Sequence, residues 1–497
     1  MKECTTLQLG STSPSVNFDS LAVRLTGLLA AVAKLVCELL GRDPTPTAMH
    51  EFELKLQALL REIGRVIMEW TLNEIEPATP EAAPRRVVFE GQEYRRKPKC
   101  NRPQLGTLFG SVKIERFLYE PLEPGESSVF PLEINLGVVA RRATPALAER
   151  VALHSSQESQ EAVLSILKRD HGIEWSVPTL RNVVAEVSAG MAPNLHDAQL
   201  NQVLAWLEKA KRSRGKHPIT LAVGRDGIFI PIRKEDGYKE AAVATLSVLD
   251  RRGRRLGTVY LGRMPEPYQK TLSDSLTRLL GDVLRKIKGP LPRVAYVTDA
   301  GHHPTWYFNH VLKPMSDPRD LSRRLDWVWI VDFYHASQYV AQMAESLFGD
   351  TARGKAWTRK MCHWLKHKPR GVFRLLHSAA HHHARRRLSK RAEENYESAY
   401  RYLLDHQASM DYAHYKAKGL PIGSGVTEAA CKTVFTQRFK QSGMSWEIES
   451  GQVILDLRLA RLSKVWTPVY AAYLHSRVTI PMATKRDHGT LRPQKAA

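Results

Sequence analysis

The sequence predicts an α/β protein in which mostly helical N-terminal domains precede a core of alternating strands and helices. Apolar residues recur at helical spacing over residues 19–41 and 47–76. From residue 217 onward the apolar residues alternate as they do in strands. Predicted strands and predicted helices then alternate along the chain up to residue 331. A long helical stretch over residues 340–419 interrupts this core before its last helices.

The order of elements within the core is that of a ribonuclease H-like sheet. The strand pattern His217–Gly224 is followed by a predicted hairpin, Ala241–Asp250 with Gly257–Arg263. Two further strands, Arg293–Thr298 and Trp327–Val331, each follow a helical segment. Three antiparallel strands, then helix, strand, helix and strand, therefore predict a ribonuclease H-like core.

Changes in periodicity and charge divide the chain into seven predicted segments. They are a helical domain that we expect to take part in dimerisation (1–84), a basic strand-rich segment (85–140), a helix-turn-helix-like segment (141–200), the first part of the ribonuclease H-like core (215–339), a helical basic insertion (340–419), the rest of the core with an acidic helix and a final helix (420–465) and a basic tail (466–497). The insertion holds 16 Lys and Arg residues against 7 Asp and Glu residues, a net charge of +9.

The charge balance of the whole chain favours a polyanionic partner. Lys and Arg number 73 against 51 Asp and Glu, which gives a net charge of +22. Each phosphate that a basic surface neutralises releases condensed counterions, and this release strengthens binding to nucleic acid. A basic protein that merely stays soluble, or one that lies on an anionic membrane, has the same composition.

Composition also predicts a cytoplasmic protein without a membrane span. The most apolar stretch, Leu21–Leu40, contains three charged residues, so we expect no transmembrane helix. The N-terminus lacks a basic region that leads directly into an apolar one, so no secretory signal is expected. Five cysteines without any Cys-x-x-Cys pair are typical of reduced thiols.

A basic segment of the N-terminal half suits contact with a phosphate backbone. Tyr94 and Tyr119 lie on predicted strands and are interleaved with basic residues. The basic residues that we expect to contact DNA are Arg95, Arg96, Lys97 and Lys99. A solvated basic loop explains this pattern equally well.

A second segment has the layout of a helix-turn-helix. A helical pattern over residues 160–170 ends at His171–Gly172, and Ser176 is a candidate N-cap for the next helix. Thr179 and Arg181, at the start of that helix, are its predicted DNA contacts. Many ordinary helical pairs share this layout.

Three acidic residues stand at positions suited to metal-dependent chemistry. Asp226 and Asp299 each follow a predicted strand, and Glu428 lies in the first turn of a helix that Gly-Ser-Gly opens. Carboxylates grouped in this way can hold two divalent ions ~3.5–4 Å apart, and hard oxygen ligands select Mg²⁺ or Mn²⁺. Taken singly, each has a simpler explanation, since Asp often forms turns and Glu favours a helix N-terminus.

Several sequence runs together resemble one family of enzymes. They are Leu420–Thr433 (LPIGSGVTEAACKT), Gln437–Trp446, Val331–His335 (VDFYH), Leu105–Arg116 and Pro131–Gly137. These runs resemble the corresponding parts of ISKra-type insertion-sequence transposases, and the resemblance covers roughly residues 85–465. Gly-Ser-Gly-x-x-Glu is its most specific piece.

The resemblance implies a ribonuclease H-like fold with a helical insertion before the last catalytic acid. The implied activity is metal-dependent cleavage and transfer of DNA strands at the ends of an insertion element. Because two DNA ends must meet one target, we expect at least a dimer on double-stranded DNA. The predicted DNA contacts in the matching runs are Lys432, Arg438 and Lys440. Lys432 is also placed to pair with Glu428 as an ordinary helix contact.

Two other functions fit the same residues. A ribonuclease H-fold nuclease would cut nucleic acid with the same metals and never join it. A catalytically silent DNA-binding regulator would keep only the helix-turn-helix. The regulator is disfavoured because all three carboxylates are present.

Asp299 and Asp332 both follow apolar strands, and only one of them is needed as the second acidic ligand. In a ribonuclease H-like sheet the strand before Asp299 neighbours the strand that carries Asp226, whereas the strand before Asp332 lies one place farther out. Neighbouring strands are ~4.8 Å apart, so Asp299 is the predicted ligand. Asp332 and His335 are then expected to support the ligands or to face DNA.

Cysteine and histidine residues give no strong sign of zinc. His363 and His367 have the spacing that places two ligands on one helix face, near Cys362 and the run His381–His383. Relatives with cysteine pairs near the basic hairpin differ from this chain, in which Cys100 stands there alone. Phosphate contacts suit the histidines of a basic helical segment better than zinc does, and Cys431 is interpreted as a small packing residue.

Overall fold

In a computed structural model the chain is a mixed α/β protein that divides into two compact units. The structure describes residues 18–77, 79–101, 104–123, 125–233 and 237–480. The first unit comprises residues 1–187 and 473–497, and the second comprises residues 188–472. The long helix α6 (Val177–Lys211) includes the boundary at residue 187, and helix α17 (Trp466–His475) includes the boundary at residue 472. Each unit is described by itself below.

The first unit begins with the two long helices that the sequence predicts, and both are confirmed. Its elements are α1 (Asp19–Leu40), α2 (Pro46–Ile75), β1 (Arg86–Phe89), β2 (Gln92–Asn101), β3 (Gln104–Thr107), β4 (Gly110–Lys113), β5 (Arg116–Pro121), α3 (Pro131–Asn135), α4 (Pro145–Ser155) and α5 (Gln160–Ile166). Strands β1, β2 and β5 form an antiparallel sheet, and β3 pairs with β4. Leu72 of α2 packs with Leu105 and Val112 of the β3–β4 hairpin in one apolar core.

Helix α1 corrects the expectation that no segment is apolar enough to cross a membrane. Among the described residues it is the one helix that meets this criterion by length and composition. The few charged residues within α1 still leave a stretch that is long and apolar enough to cross a membrane. Core helices of soluble proteins and signal sequences have the same properties, so a single such helix is weak evidence for a membrane protein.

The second unit contains the predicted core and the helical insertion. Its elements after α6 are β6 (Thr220–Pro231), β7 (Tyr238–Leu249), β8 (Arg255–Arg263), α7 (Lys270–Lys286), β9 (Arg293–Thr298), α8 (His302–Tyr307), β10 (Ser316–Asp317), β11 (Asp320–Arg324), β12 (Trp327–Val331), α9 (Phe333–Phe348), α10 (Ala352–His367), α11 (Gly371–His383), α12 (Lys390–Asp405), α13 (Tyr412–Ala417), α14 (Gly425–Ala430), α15 (Gln437–Phe439), α16 (Ile448–Leu462) and α17 (Trp466–His475). Strands β9 and β12 have the predicted bounds, and the helices of the predicted insertion are confirmed.

Five strands of this unit form one mixed sheet in the order β12-β9-β6-β7-β8. The three strands β6, β7 and β8 are antiparallel neighbours, whereas β9 is parallel to both β6 and β12. Strand β6 is longer than the sequence predicts, so Asp226 lies within it and does not follow it. The reason is that Ile228 and Ile230 continue the strand beyond Gly227, and every residue from Thr220 to Pro231 has a partner on β7.

Helices cover both faces of the sheet because successive side chains of a strand point to opposite sides. On β9, Val294 and Tyr296 belong to a core shared with α6, α7 and the segment after α8. The alternate residues, Ala295 and Val297, belong to a second core built with α9 to α13. The helical insertion therefore packs onto the sheet and is not a separate appendage.

The predicted basic tail also needs correction, since its first ten residues form helix α17. The sequence argument weighed the charges beyond residue 484 and overlooked the apolar spacing of Trp466, Val469 and Tyr473, which are all buried. Residues 481–497 of the predicted tail lie outside the described residues.

Glu76 is a buried carboxyl at the end of α2. It is 4% exposed, and its Oε1 accepts a hydrogen bond of 2.7 Å from the backbone N–H of Phe117. Burial raises the pKa of Glu76 to about 7, although that hydrogen bond and the charge of Arg116 both lower it. The folded protein therefore holds a proton on Glu76 at pH values where the unfolded chain has released it.

We expect Glu76→Gln to flatten the pH dependence of stability. The contribution of the raised pKa is fully present below pH 4.5, the ordinary value, and is lost as pH rises to about 7. For a shift of this size the loss reaches ~3 kcal/mol. Melting temperatures at pH 5 and pH 8 should therefore differ less in Glu76→Gln than in the wild type. Glu53→Gln, at an exposed position of the same helix, is the control, and parallel curves for wild type and Glu76→Gln would contradict the idea.

Candidate active site

Asp226 and Asp299 lie on neighbouring parallel strands and on the same face of the sheet. The last paired residues of β6 and β9 are Gly224 and Val297. Two residues farther along each chain stand Asp226 and Asp299, so both carboxylates leave the sheet on one side at the end of β9. Both side chains are half-buried. The prediction that the strand before Asp299 is the neighbour of the strand that carries Asp226 is confirmed.

Glu428 reaches the same region because its helix packs directly onto β6. Thr427 is buried, and its hydroxyl lies 2.9 Å from the hydroxyl of Thr245 on β7. A Cβ at Gly224 would fall far inside contact distance of the Thr427 hydroxyl, so only glycine permits this approach. The next residue, Glu428, is exposed in the first turn of α14, as predicted.

The three carboxylates influence one another electrostatically. The pKa of Asp226 is raised to about 6, above all by burial and also by the negative charges of Asp299 and Glu428. Two hydrogen bonds oppose this effect: Cys431 donates through Sγ to Asp226 Oδ2 at 3.2 Å, and the Gly227 N–H donates to Oδ1 at 2.8 Å. Cys431 thus contacts the site, which its interpretation as a packing residue did not include.

No Lys, Arg or His side chain that the structure describes neutralises this cluster. Among the described residues, none of the three carboxylates forms an ion pair with a Lys, Arg or His side chain. The described residues also contain no set of three His, Cys, Asp or Glu side chains already arranged as a metal site. Asp226, Asp299 and Glu428 are therefore electrostatic neighbours whose charge is uncompensated, and they do not form a finished ligand cage.

The backbone after Asp299 is held in an unusual conformation. Ala300 has φ of 61°, a left-handed value that is uncommon for a residue with a side chain. The Gly301 N–H donates to Asp299 Oδ1 at 2.9 Å, and the Tyr402 hydroxyl donates to the Asp299 carbonyl oxygen at 2.7 Å. Tyr402 belongs to α12, so the helical insertion fixes the position of Asp299, and sequence reasoning did not single this residue out.

Asp332 has a different role, because its carboxylate joins two backbone segments. It is 3% exposed; Oδ1 accepts the His335 N–H at 2.7 Å at the start of α9, and Oδ2 accepts the Ser424 N–H. Asp332 therefore caps α9 and holds the loop that leads into α14. The His335 ring lies 5.8 Å from the ring of Tyr402, so both residues stand beside the site.

The three predicted DNA contacts that follow Glu428 have different environments. Lys432 and Lys440 are exposed, and Lys440 Nζ lies 5.6 Å from the centre of the Tyr238 ring. Arg438 is 1% exposed, and its guanidinium lies 4.9 Å from the centre of the Trp446 ring. This buried position does not suit the predicted DNA contact, since a guanidinium packed under a ring cannot reach a phosphate.

The predicted DNA contacts on strand β2 of the first unit also have different environments. Arg95 is exposed, whereas Arg96 donates hydrogen bonds to the carbonyl oxygens of Pro80 and Ala83 and so stabilises the fold locally. Lys97 forms an ion pair with Glu120, which screens its charge. The side chain of Lys99 lies outside the described part of the chain.

The helix-turn-helix-like segment has its predicted break and its predicted cap. Gly172 adopts φ of 63°, and Ser176 Oγ accepts the Thr179 N–H at 3.4 Å just before α6 begins. Arg181 is exposed and donates to Gln160 Oε1 at 3.2 Å. Helix α6 is 35 residues long, because apolar residues continue at helical spacing past residue 200, where the sequence analysis ended this segment.

No known family model matches this chain, and no curated protein sequence matches it. Any functional conclusion therefore depends on the geometry above and on the sequence motifs. Of these, the carboxylates at adjacent strand ends and the Gly-Ser-Gly-x-x-Glu helix are the most specific.

We expect the contact between Gly224 and Thr427 to be energetically coupled. Gly224→Ala should destabilise the second unit by ~1–3 kcal/mol, because the added methyl group overpacks the contact. Thr427→Ala removes the clashing hydroxyl, so the double variant should lose less stability than the sum of the single variants. Chemical denaturation of the four proteins measures this coupling. Gly281→Ala, which has open space around its Cβ, is the control, and strictly additive losses would show that the two residues do not press on each other.

Proposed function

We propose that this chain is a transposase of the Asp/Asp/Glu type, which binds the ends of an insertion element and cuts and joins DNA strands. The observation that carries the proposal is the convergence of Asp226, Asp299 and Glu428 at one end of the sheet, where no described Lys, Arg or His side chain forms an ion pair with them. The resemblance of the sequence runs around Glu428 to ISKra-type transposases agrees with this assignment. Charge and fold supply the remaining support.

A ribonuclease H-like fold for the core is part of the proposal. The sheet has the strand order β12-β9-β6-β7-β8, and β7 alone runs opposite to the other four strands. This arrangement is expected of a ribonuclease H-like fold. In such a sheet the first and fourth strands are adjacent, and here these are β6 and β9. The helical insertion between β12 and α14 separates the last acid from the first two in sequence and returns it to them in space.

The donor set of the site fits Mg²⁺ or Mn²⁺. Asp226, Asp299 and Glu428 would hold the ion, since carboxylate oxygens are the ligands that hard divalent cations prefer. When bound, such an ion activates a water or a DNA 3′-OH and stabilises the leaving oxygen. The raised pKa of Asp226 supports this fit, because a cluster of carboxylates that disfavours its own ionisation favours a cation.

Hydrogen bonds from other groups of the chain orient the proposed ligands Asp226 and Asp299. The Gly227 N–H and the Cys431 thiol each donate to one oxygen of Asp226 and orient the carboxylate. The Gly301 N–H orients Asp299 in the same way, while Oδ2 of Asp299 accepts no hydrogen bond from any described residue. Such preorganisation keeps acidic groups in place against their mutual repulsion.

We propose double-stranded DNA as the partner, at least two subunits in the active complex, and the cytoplasm as the location. The net charge of +22 supports a nucleic-acid partner. Exposed apolar side chains on α1 support a contact with a second copy through the N-terminal helices: Val23, Leu29 and Leu40. The candidate DNA contacts that retain free surface are the exposed residues Arg95, Arg181, Lys432 and Lys440 and the half-buried Thr179.

We expect Asp226→Ala, Asp299→Ala and Glu428→Ala each to abolish strand cleavage in Mg²⁺ and to leave DNA-end binding largely intact. The reason is that the carboxylates hold the cation, whereas the basic surfaces hold the DNA. Cleavage assays and gel shifts on the same DNA ends measure the two properties separately. Asp350→Asn, at an exposed carboxylate that is 79% accessible, is the matched control.

Wild-type cleavage by any one of the three variants would remove that residue from the site. An assay that offers a pre-cleaved 3′-OH end and a target duplex distinguishes a transposase from a nuclease that only cuts. Binding of DNA ends without cleavage by the wild-type protein in Mg²⁺ would instead favour a silent regulator.

Metal rescue tests whether Asp299 or Asp332 is the second ligand. Asp299→Cys should lose Mg²⁺-dependent cleavage and regain part of it with the more thiophilic Mn²⁺. Asp332→Cys should not be rescued, because the Asp332 carboxylate accepts backbone N–H groups and a thiol cannot replace both acceptors. The reverse pattern would assign the metal to Asp332.

A further inference from the structure

Strands β6 and β7 continue as a two-stranded arm beyond the carboxylates. Pairing of β8 with β7 ends at Ala242, whereas β6 and β7 remain paired to Pro231 and Tyr238. Four residue pairs therefore form a ribbon outside the five-stranded sheet, with Asp226 near its base. At ~3.4 Å per residue the arm extends on the order of 13 Å.

One face of this arm is packed and its far end is anchored. Ile230 is fully buried, and Trp446 pairs with the arm on both sides of Ile232. The Trp446 N–H donates to the Pro231 carbonyl oxygen at 3.1 Å, and the Arg233 N–H donates to the Trp446 carbonyl oxygen at 2.7 Å. The arm is therefore held in place, and its other face is presented in a fixed orientation.

The other face carries two exposed aromatic rings. Phe229 and Tyr238 are each 59% exposed. Phe229 lies two residues before Pro231, and Tyr238 is the direct partner of Pro231, so the two rings lie on the same face. Lys440 Nζ stands 5.6 Å from the centre of the Tyr238 ring, and the side chain of Arg233, two residues beyond Pro231, is exposed.

This face begins one residue from the candidate site. Gly227, next to Asp226, lies on it, and the Glu240 carboxylate covers the space where a Cβ of Gly227 would stand. Glu240 is the direct partner of Phe229, and its Oε2 lies 4.0 Å from Nε2 of His303 on α8. Helix α8 follows the loop after Asp299, so this face adjoins the end of β9. The Asp226 side chain leaves β6 on the opposite face, because successive side chains of a strand alternate.

We propose that Phe229 and Tyr238 form a stacking platform for unpaired nucleotides on the arm that continues β6 beyond the candidate site. The proposal rests on the proposed function and specifies what the site accepts: a DNA end whose terminal bases are separated, with Lys440 contacting the phosphates. Exposed rings accompanied by Lys and Arg side chains are the features with which proteins bind single strands regardless of sequence. The basic surroundings favour a nucleic acid over an apolar protein partner.

The test compares single strands with blunt duplexes in buffer without divalent cations, so that binding is measured without cleavage. The probes are a fluorescein-labelled oligothymidylate and a blunt duplex of unrelated sequence, measured by anisotropy with the full chain. The double variant Phe229→Ala/Tyr238→Ala should bind the single strand about tenfold or more weakly and the duplex within about threefold of wild type. Phe229→Trp should retain single-strand binding, because it keeps a ring.

Phe373→Ala, which removes an equally exposed ring from α11, is the matched control and should change neither affinity. Equal losses on both probes, or unchanged single-strand binding, would overturn the platform. A wild-type protein that does not bind the single-stranded probe would also overturn the platform, and the two rings would then be better explained as a contact with a protein partner. Ring-dependent single-strand binding by a protein that never cleaves DNA in Mg²⁺ would support the platform and contradict the transposase, so the two failures are distinguishable.

Discussion

The parallel pairing of β6 with β9 is the constraint on which the candidate site depends. Because Gly224 is paired with Val297, the two residues that follow two positions later, Asp226 and Asp299, leave adjacent strands on the same face. A shift of one residue in either strand would turn one carboxylate into the opposite core. The alternation of buried residues on β9 fixes this register, since both faces of the strand are covered by apolar cores.

Gathering three carboxylates has an energetic cost, and the surrounding contacts show how the fold offsets it. Desolvation and the charges of Asp299 and Glu428 disfavour ionised Asp226. Backbone N–H groups, the Cys431 thiol and the close packing of Thr427 on Gly224 hold the acids together despite this repulsion. Groups with perturbed pKa values are enriched at functional sites, so this cluster is a candidate site and not only a structural feature.

Much of this arrangement could be predicted from sequence, because its elements are strongly patterned. The bounds of β9 and β12 and the helices α1 and α2 followed from apolar periodicity alone. The contributions of Tyr402 and Cys431 could not be predicted, since each depends on a contact between segments more than 100 residues apart. The burial of Arg438 could not be predicted for a different reason: a basic residue in a basic segment gives no sign that a nearby Trp446 will cover it.

Asp299 and Asp332 have different environments, and strand order explains the difference better than the local motif does. Both residues end an apolar parallel strand, and the motif around Asp332 is the more recognisable one. Yet β12 lies beyond β9, so Asp332 meets the Ser424 N–H of the loop before α14, and its negative charge serves the N-terminus of α9. Asp332 thus fixes the start of the helix that carries Glu428. On the proposed function, substitutions at Asp299 and at Asp332 would both impair the site, but the first would remove a proposed ligand and the second would misplace one.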